Sequence, residues 1–512
     1  MRNGAPLPEA VDEVHLYEQV TSELSKLIET GTLRPGERVP SVRKLSVRRR
    51  ISLSTVMQAY RVLESRGLIE ARPRSGYYVR ARRWTPPPEP EMTPTDFGST
   101  KLNVGELIMQ ICKDNQHPSL VRLGATCTNN SHHPTPELHR SLAAMARRCV
   151  RDPLKSDSLS GTAAIRTQIA RRALDSGCVL SPSEIIATTG ATESVHLSLR
   201  AVTKPGDTVA IESPTYFGIL QLIETLGLRA LELPTHPRDG VSLEALEYAL
   251  EHHDIKACLF VLNFNNPLGS CLPDENKARL VELLAAREIP LIENDLYGDL
   301  AFDAVRPRTA KSFDRQGGVL LCDSFNKSLS CGYRVGWVAP GRFQARIETI
   351  KFTTTEVSAS LPQLALADFL ANGGYDAHLR RLRRFFAEQV QRMTEAVTRL
   401  FPVSTKVTRP RGGQVLWVEL PAHIDSMEVY RQAIQERIAI APGQIFSAKR
   451  KFRNYLRLNC GNPWTAEIEQ AMKRLGAIIG ELDERGRNGP GFRTSALAQP
   501  KPGCSARFNV PI

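Results

Sequence analysis

Between about residue 104 and residue 480 the chain alternates short apolar runs with amphipathic stretches of helical period, and few folds accommodate that rhythm. The runs at 185–188, 208–211, 257–262, 290–293 and 319–322 are rich in Val, Ile, Leu and Ala and too short for helices. They read as strands buried on both faces. The intervening segments include 193–201 and 275–287, which carry helical periodicity. Strand and helix in alternation predict an α/β domain with a largely parallel sheet. From about Gly412 a smaller α/β lobe is expected, with strands near 415–418 and 455–458. Ligands of such sheets collect in the crevice beyond the strands' carboxyl ends, so the residues just after each run deserve the closest reading.

Those residues carry a coherent chemistry. Gly190, Ala191, Thr192 and Glu193 lie between a strand and a helix. Free backbone N–H groups and the positive end of the helix dipole favour a phosphate there, and Thr192 adds a hydroxyl. Tyr216 follows the second run and could stack on a flat ring. Asn266 precedes Pro267, which holds it extended and lets its amide donate to a phenolic oxygen. Asp295 and Tyr297, two residues apart after the fourth run, share a face if the strand continues. A carboxylate beside a pyridinium nitrogen keeps that nitrogen protonated. After the fifth run come Ser324, Lys327 and Arg334. A lysine can form a Schiff base with an aldehyde, while a hydroxyl and a guanidinium hold a phosphate. Pyridoxal 5'-phosphate (PLP) carries both groups. Singly, each residue has an ordinary explanation: a glycine turn, a core tyrosine, an Asn-Pro turn, an N-cap aspartate, a basic loop. The ordered set, each member at a strand end, does not.

The amino-terminal part is a different molecule in composition. The chain carries a formal net charge of +13. Residues 14–83 hold 15 Lys/Arg against 6 Asp/Glu, a difference of +9. A small domain this basic points to nucleic acid. Apolar positions Leu16, Val20, Leu24, Leu27 and Ile28 predict a helix ending before Gly31. Ser41 caps a second helix, 42–48, and Ser52 a third, 53–66, stopped by Gly67. Residues 68–79 read as two short strands around a turn at 73–76. Three helices and a hairpin make a winged helix-turn-helix, mostly α, whose third helix enters the major groove. Ser52, Ser54 and Thr55 lie at the start of that helix; Arg43 and Arg74 are candidates for phosphate or groove contacts.

The spacing Gly31, Leu33, Pro35, Gly36, Glu37, Pro40, Ser41, Arg43, followed by 67–72 and Ser75-Gly76, resembles the DNA-binding domain of the GntR family over about 14–80. The resemblance adds Gly76 to the DNA-binding set. Two positions depart from it. Arg50 stands where the family usually has a turn glycine, and Leu53 where it often has a basic residue.

The ordered set of the larger part resembles fold-type I, class I aminotransferases over 104–480. That resemblance implies that Lys327 forms the internal aldimine with PLP and that Asp295 pairs with the pyridine nitrogen. It places Asn266 and Tyr297 on the cofactor phenolate and Tyr216 on the ring face. Ala191, Thr192, Ser324 and Arg334 would hold the phosphate. Arg457 falls where the family binds a substrate α-carboxylate. Both parts in this order resemble the MocR subfamily of GntR-type regulators. Relatives offer a tyrosine to the partner subunit's cofactor phosphate, whereas residues 151–161 contain none. Asn326 and Cys331 replace a common serine and proline.

The expectation is a PLP-binding transcriptional regulator, homodimeric through its aminotransferase-like part. It would sense PLP, an amino acid or an amine as an aldimine and bind double-stranded operator DNA. The alternatives are a working aminotransferase with an appended DNA-binding domain, and a DNA-binding protein whose larger part only dimerises. The 512 residues divide into a leader (1–13), the winged domain (14–80), a Pro-rich spacer (81–103), the α/β domain (104–482) and a disordered tail (483–512). No apolar stretch is long enough for a membrane span, and the first residues lack a signal peptide's apolar run. Ten scattered cysteines without a Cys-x-x-Cys pair suggest reduced thiols in a bacterial cytosol and no zinc site. The pairs His132-His133 and His252-His253 lack partners at metal-ligand spacing.

Overall fold

The computed structural model describes residues 16–29, 32–33, 36–73, 75–80, 86–94, 96–102, 105–125, 132–151, 159–303, 305–372 and 374–488. The chain forms two compact units, residues 1–86 and 87–512.

In the first unit, α1 (Leu16–Glu29), α2 (Val42–Arg49) and α3 (Leu53–Ser65) precede an antiparallel hairpin of β1 (Ile69–Arg72) and β2 (Gly76–Val79). Each later helix begins where a serine hydroxyl accepts a backbone N–H: Ser41 from Lys44 at 3.3 Å, Ser52 from Thr55 at 3.0 Å. Val20, Leu24, Leu45, Val56, Tyr60, Leu63, Ile69 and Val79 form its core. The Tyr60 hydroxyl escapes an unsatisfied burial by donating to the Pro40 carbonyl at 2.6 Å. Arg50 takes the left-handed conformation (φ 55°, ψ 40°) that closes α2. The turn geometry is therefore kept without glycine, at a backbone cost of about 1–2 kcal/mol.

The second unit is built on a sheet in the order Thr100–Lys101, Arg229–His236, Thr208–Ser213, Ile255–Phe260, Leu291–Asn294, Val319–Ser324, Gly336–Ala339, Ile186–Thr188. The middle strands are parallel, and the last two joins are antiparallel. All five apolar runs are strands of this sheet. Two reversals leave Ile186–Thr188 pointing the same way as Val319–Ser324, so the carboxyl ends of all five share one edge. A second, antiparallel sheet contains Lys406–Val407, Val415–Glu419, Tyr455–Asn459 and Ala441–Pro442. It is the expected smaller lobe.

Two expectations are corrected. Pro87–Leu102 is no free spacer. The Pro88 carbonyl accepts the Val407 N–H at 2.9 Å, and Glu89 accepts the Arg409 N–H at 3.1 Å and pairs with Arg238. Thr93 donates to the Ser213 carbonyl at 3.1 Å, Asp96 pairs with Lys449 at 2.6 Å, and Thr100–Lys101 joins the sheet edge. Proline content alone hides these polar anchors; residues 81–85 lie outside the described residues. Nor does the tail begin at 483. The last helix, Ala466–Asn488, runs past it, with Asp483 buried against Arg487 and His423. The leader (1–13) and residues 489–512 lie outside the described residues. No described helix is long and apolar enough to cross a membrane.

Candidate cofactor site

Asp295 leaves the strand Leu291–Asn294 with its backbone N–H on the Cys322 carbonyl at 2.9 Å. Its side chain is buried. One oxygen accepts from Asn263 Nδ2 at 2.7 Å, the other from Arg306 Nη2 at 2.5 Å. Arg306 also donates through Nε to Asp299 at 2.7 Å. Burial pushes the Asp299 carboxyl up, but Arg306 and Arg172 outweigh it and hold the group down at about 2. The second Asp299 oxygen accepts from Tyr375 at 2.7 Å, and the Tyr375 hydroxyl lies 2.8 Å from Ser328 Oγ. The network thus runs from Asp295 to the residue after Lys327. Nearby, burial first and the Asp295 charge second push Glu293 up to about 7. The same two causes raise Asp323 well above the carboxylate range. Arg306 is the cation that lets two aspartates face one buried space.

On the neighbouring strand end, Asn266 Nδ2 donates to the Tyr297 hydroxyl at 3.2 Å, while Asn266 Oδ1 accepts from Arg457 Nη1 at 3.0 Å. Arg457 projects from the strand Tyr455–Asn459 of the smaller lobe, is fully buried, and also donates to the Gly124 carbonyl. Its guanidinium stands 5.0 Å from the Phe446 ring centre and 5.6 Å from that of Phe217. Tyr216 immediately precedes the helix Phe217–Thr225. Burial raises its phenol, and the Lys327 charge opposes that shift, so Lys327 lies within electrostatic reach of Tyr216.

At the far end of the sheet edge, Gly190 (φ 122°) starts the helix Ala191–Val202. A Cβ on Gly190 would lie 2.8 Å from Arg334 Nη2 and 3.1 Å from Asn326 Nδ2; one on Gly336 would lie 2.6 Å from the Gly190 Cα. Only paired glycines let the guanidinium reach the start of that helix. Ala191 is buried and Thr192 exposed in the first turn, with Ser324 buried at its strand end. The edge therefore offers an anion cradle at Gly190 and Arg334, a carboxylate at Asp295 and an amine at Lys327. The chemistry of these groups fits PLP, which carries a phosphate, a ring nitrogen and an aldehyde. Sequence reasoning named the strand-end residues but gave no role to Asn263, Asp299, Arg306 or Tyr375, which join Asp295 in one hydrogen-bonded network.

In the first unit, Ser52 Oγ lies 2.7 Å from both Ser54 Oγ and Thr55 Oγ1, so the three hydroxyls engage one another at the cap. Arg43 is exposed on α2. Gly76 (φ 106°) leaves room for Arg38, whose guanidinium a Cβ would meet at 3.2 Å. Arg74 and residues 152–158 of the tyrosine-free loop lie outside the described residues. His132 stacks on Phe385 with ring centres 3.6 Å apart, and no cluster of metal-ligating side chains occurs among the described residues.

The two units define a winged helix-turn-helix joined to a fold-type I aminotransferase domain. Residues 138–475 match the family model for aminotransferase class I and II, and residues 16–79 that for bacterial regulatory proteins of the gntR family. The chain is 40% identical over 463 residues to the uncharacterized HTH-type transcriptional regulator YjiR of Escherichia coli, covering 90% of this chain and 98% of that one. To the 2-aminoadipate transaminase of Thermus thermophilus it is 28% identical, over 73% of this chain and 93% of that one. Among solved structures, LysN, the α-aminoadipate aminotransferase of Thermus thermophilus, aligns with a TM-score of 0.66 at 26% identity, covering 75% of this chain and all of that one. The chain belongs to the aminotransferase class I and II family through its larger unit and, with its GntR domain, to the MocR subfamily of regulators.

Proposed function

We propose that this GntR-type transcriptional regulator binds PLP in its larger unit and an amino acid or amine beside it. Occupancy would set how two winged domains of a cytoplasmic homodimer engage the half-sites of a double-stranded operator. The observation that supports this reading is that the sheet brings Asp295 and the Gly190–Arg334 cradle to one edge, where Arg457 reaches Asn266 from the smaller lobe. When bound, PLP supplies an electrophilic carbon for amines and a ring that withdraws electrons.

The chain's own groups would act around it. Lys327 Nζ would anchor the cofactor and exchange a proton with a ligand's α-carbon. Asp295, fixed by Asn263 and Arg306, holds the proton on the ring nitrogen. Asn266 and Tyr297 donate to the phenolic oxygen, and Tyr216 covers the ring. Ala191, Thr192, Ser324 and Arg334 neutralise and orient the phosphate. Arg457, already desolvated and aligned by Asn266, offers a bidentate fork to a carboxylate. Regulation further requires that the ligand bind one DNA-competent arrangement better than another.

The presence of both Lys327 and Arg457 also supports a second reading, a working aminotransferase carrying a DNA-binding domain. Titration of the PLP-loaded protein with a panel of amino acids separates the two. A persistent, shifted absorption band together with altered DNA affinity is the regulator's signature. Bleaching with release of a keto acid would put the enzyme reading first. DNA affinity, footprint and bend that ignore PLP, effector and Lys327→Ala alike would refute sensing.

A further inference from the structure

The first turn of α3 is the part of a winged helix-turn-helix nearest the bases, and here its outward side chain is apolar. Leu53, the first residue of α3, is 51% exposed. The hydroxyls around it are turned to one another: Ser52 Oγ accepts the Thr55 N–H at 3.0 Å and lies 2.7 Å from Ser54 Oγ and from Thr55 Oγ1. One turn along, Met57 continues the stripe half-buried, and Gln58 and Arg61 are exposed beyond it. The exposed charges on α2, Arg43, Lys44, Arg48 and Arg49, are all positive, with Arg49 paired to Glu23 of α1. They draw the unit to phosphates but carry no sequence information.

We infer that Leu53 is a specificity-determining residue, and that it reads the 5-methyl group of a thymine in the major groove. This rests on the DNA-binding reading of the first unit. In that groove the thymine methyl is the apolar feature of the base edges, so an isobutyl group presented by the helix has one complementary partner. A second copy of the chain is a poor alternative occupant. Leu53 and Val47, the exposed large apolar residues of α3 and α2, offer little apolar area together, and the basic side chains of α2 on two such faces repel.

The full-length protein, loaded with PLP, is used to select half-sites from random duplex DNA. Each thymine of the selected site is then replaced by deoxyuridine, which removes only the methyl. One thymine per half-site is expected to lose about fourfold in affinity on replacement, the worth of one buried methyl-sized group. Leu53→Ala, an exposed change that leaves the core intact, should bind the parent site about as weakly as the wild type binds the uracil site. It should show no further loss with uracil and keep the same salt slope. Uniform indifference to uracil, or the same uracil effect in Leu53→Ala, overturns the inference while leaving DNA binding standing. Failure to enrich any sequence removes the DNA-binding reading and the inference together.

Discussion

Arg306 has two acidic partners and no exposed charge to share with water: Asp295 at 2.5 Å and Asp299 at 2.7 Å, with its own side chain 8% exposed. Removing one member of a buried ionic set leaves the others uncompensated, typically at a cost of about 3–5 kcal/mol. Arg306→Met is therefore expected to destabilise the larger unit by that amount in urea unfolding. It should also weaken PLP binding in an absorbance titration, with Arg306→Lys recovering part of both. Glu212 gives the opposite sign. It is buried in the strand Thr208–Ser213, accepts the Val261 N–H at 2.8 Å, and burial pushes it up to about 8 from 4.5. Below pH 4.5 it is neutral in both folded and unfolded chains, and its contribution is fully present. Between 4.5 and 8 only the unfolded chain ionises, so stability falls as pH rises. Glu212→Gln removes that loss. It should gain on the order of 2–4 kcal/mol over the wild type at pH 8 and about zero at pH 4.5, read from unfolding curves at both. Legibility divides along the same line. Gly190, Asn266, Asp295, Lys327 and Arg334 were readable because each follows an apolar run or opens a helix, so the parallel sheet brings them to one edge. Arg306 was not, since no described helix or strand holds both it and Asp295, so no periodicity relates the two positions 11 residues apart. Tyr375 reaches Asp299 from a helix 76 residues away.

At the scale of elements, Pro87–Leu102 behaves as a strap held by polar anchors. Glu89 is central: one carboxylate takes the Arg409 backbone N–H and the Arg238 guanidinium, from segments that the chain separates widely. Its side chain is 13% exposed while that of Arg238 is 56% exposed, so water screens the ion pair and the anchor acts mainly through its geometry. Glu89→Ala is expected to release the amino-terminal half of the strap. Amide exchange at Val407 and Arg409, whose N–H groups bond the strap, should then accelerate roughly tenfold or more, while absorbance titration shows PLP affinity unchanged. Unchanged exchange would mean that Thr93, Asp96 and the Thr100–Lys101 strand suffice to hold it. The strap was invisible in the sequence for a physical reason. Its anchors are single polar residues spaced irregularly, and a run of prolines has the same composition whether docked or free. The winged domain was the reverse case, since serine caps, glycine stops and helical period all act within a few residues of one another.

At the scale of the molecule, the two units have cores made of separate residues, Val20–Val79 in one and the buried strands of the sheet in the other. Separate cores predict separate unfolding transitions in calorimetry. PLP at 100 times its dissociation constant should raise the larger unit's transition by the equivalent of about 2.7 kcal/mol, and duplex DNA the smaller unit's. Without coupling these shifts are independent: adding PLP leaves the DNA-induced shift where it was. A regulator of the kind proposed cannot behave so. If the ligand changes DNA affinity by some factor, DNA must change ligand affinity by the same factor, and each additive then displaces the other unit's transition. The expected result is a DNA-induced shift that differs between apo, PLP-loaded and effector-loaded protein. The effector's own affinity should change in step on operator DNA. Equal shifts in all three states would leave two competent domains on one chain with no thermodynamic communication, and the sensing reading would fall although both binding sites stood.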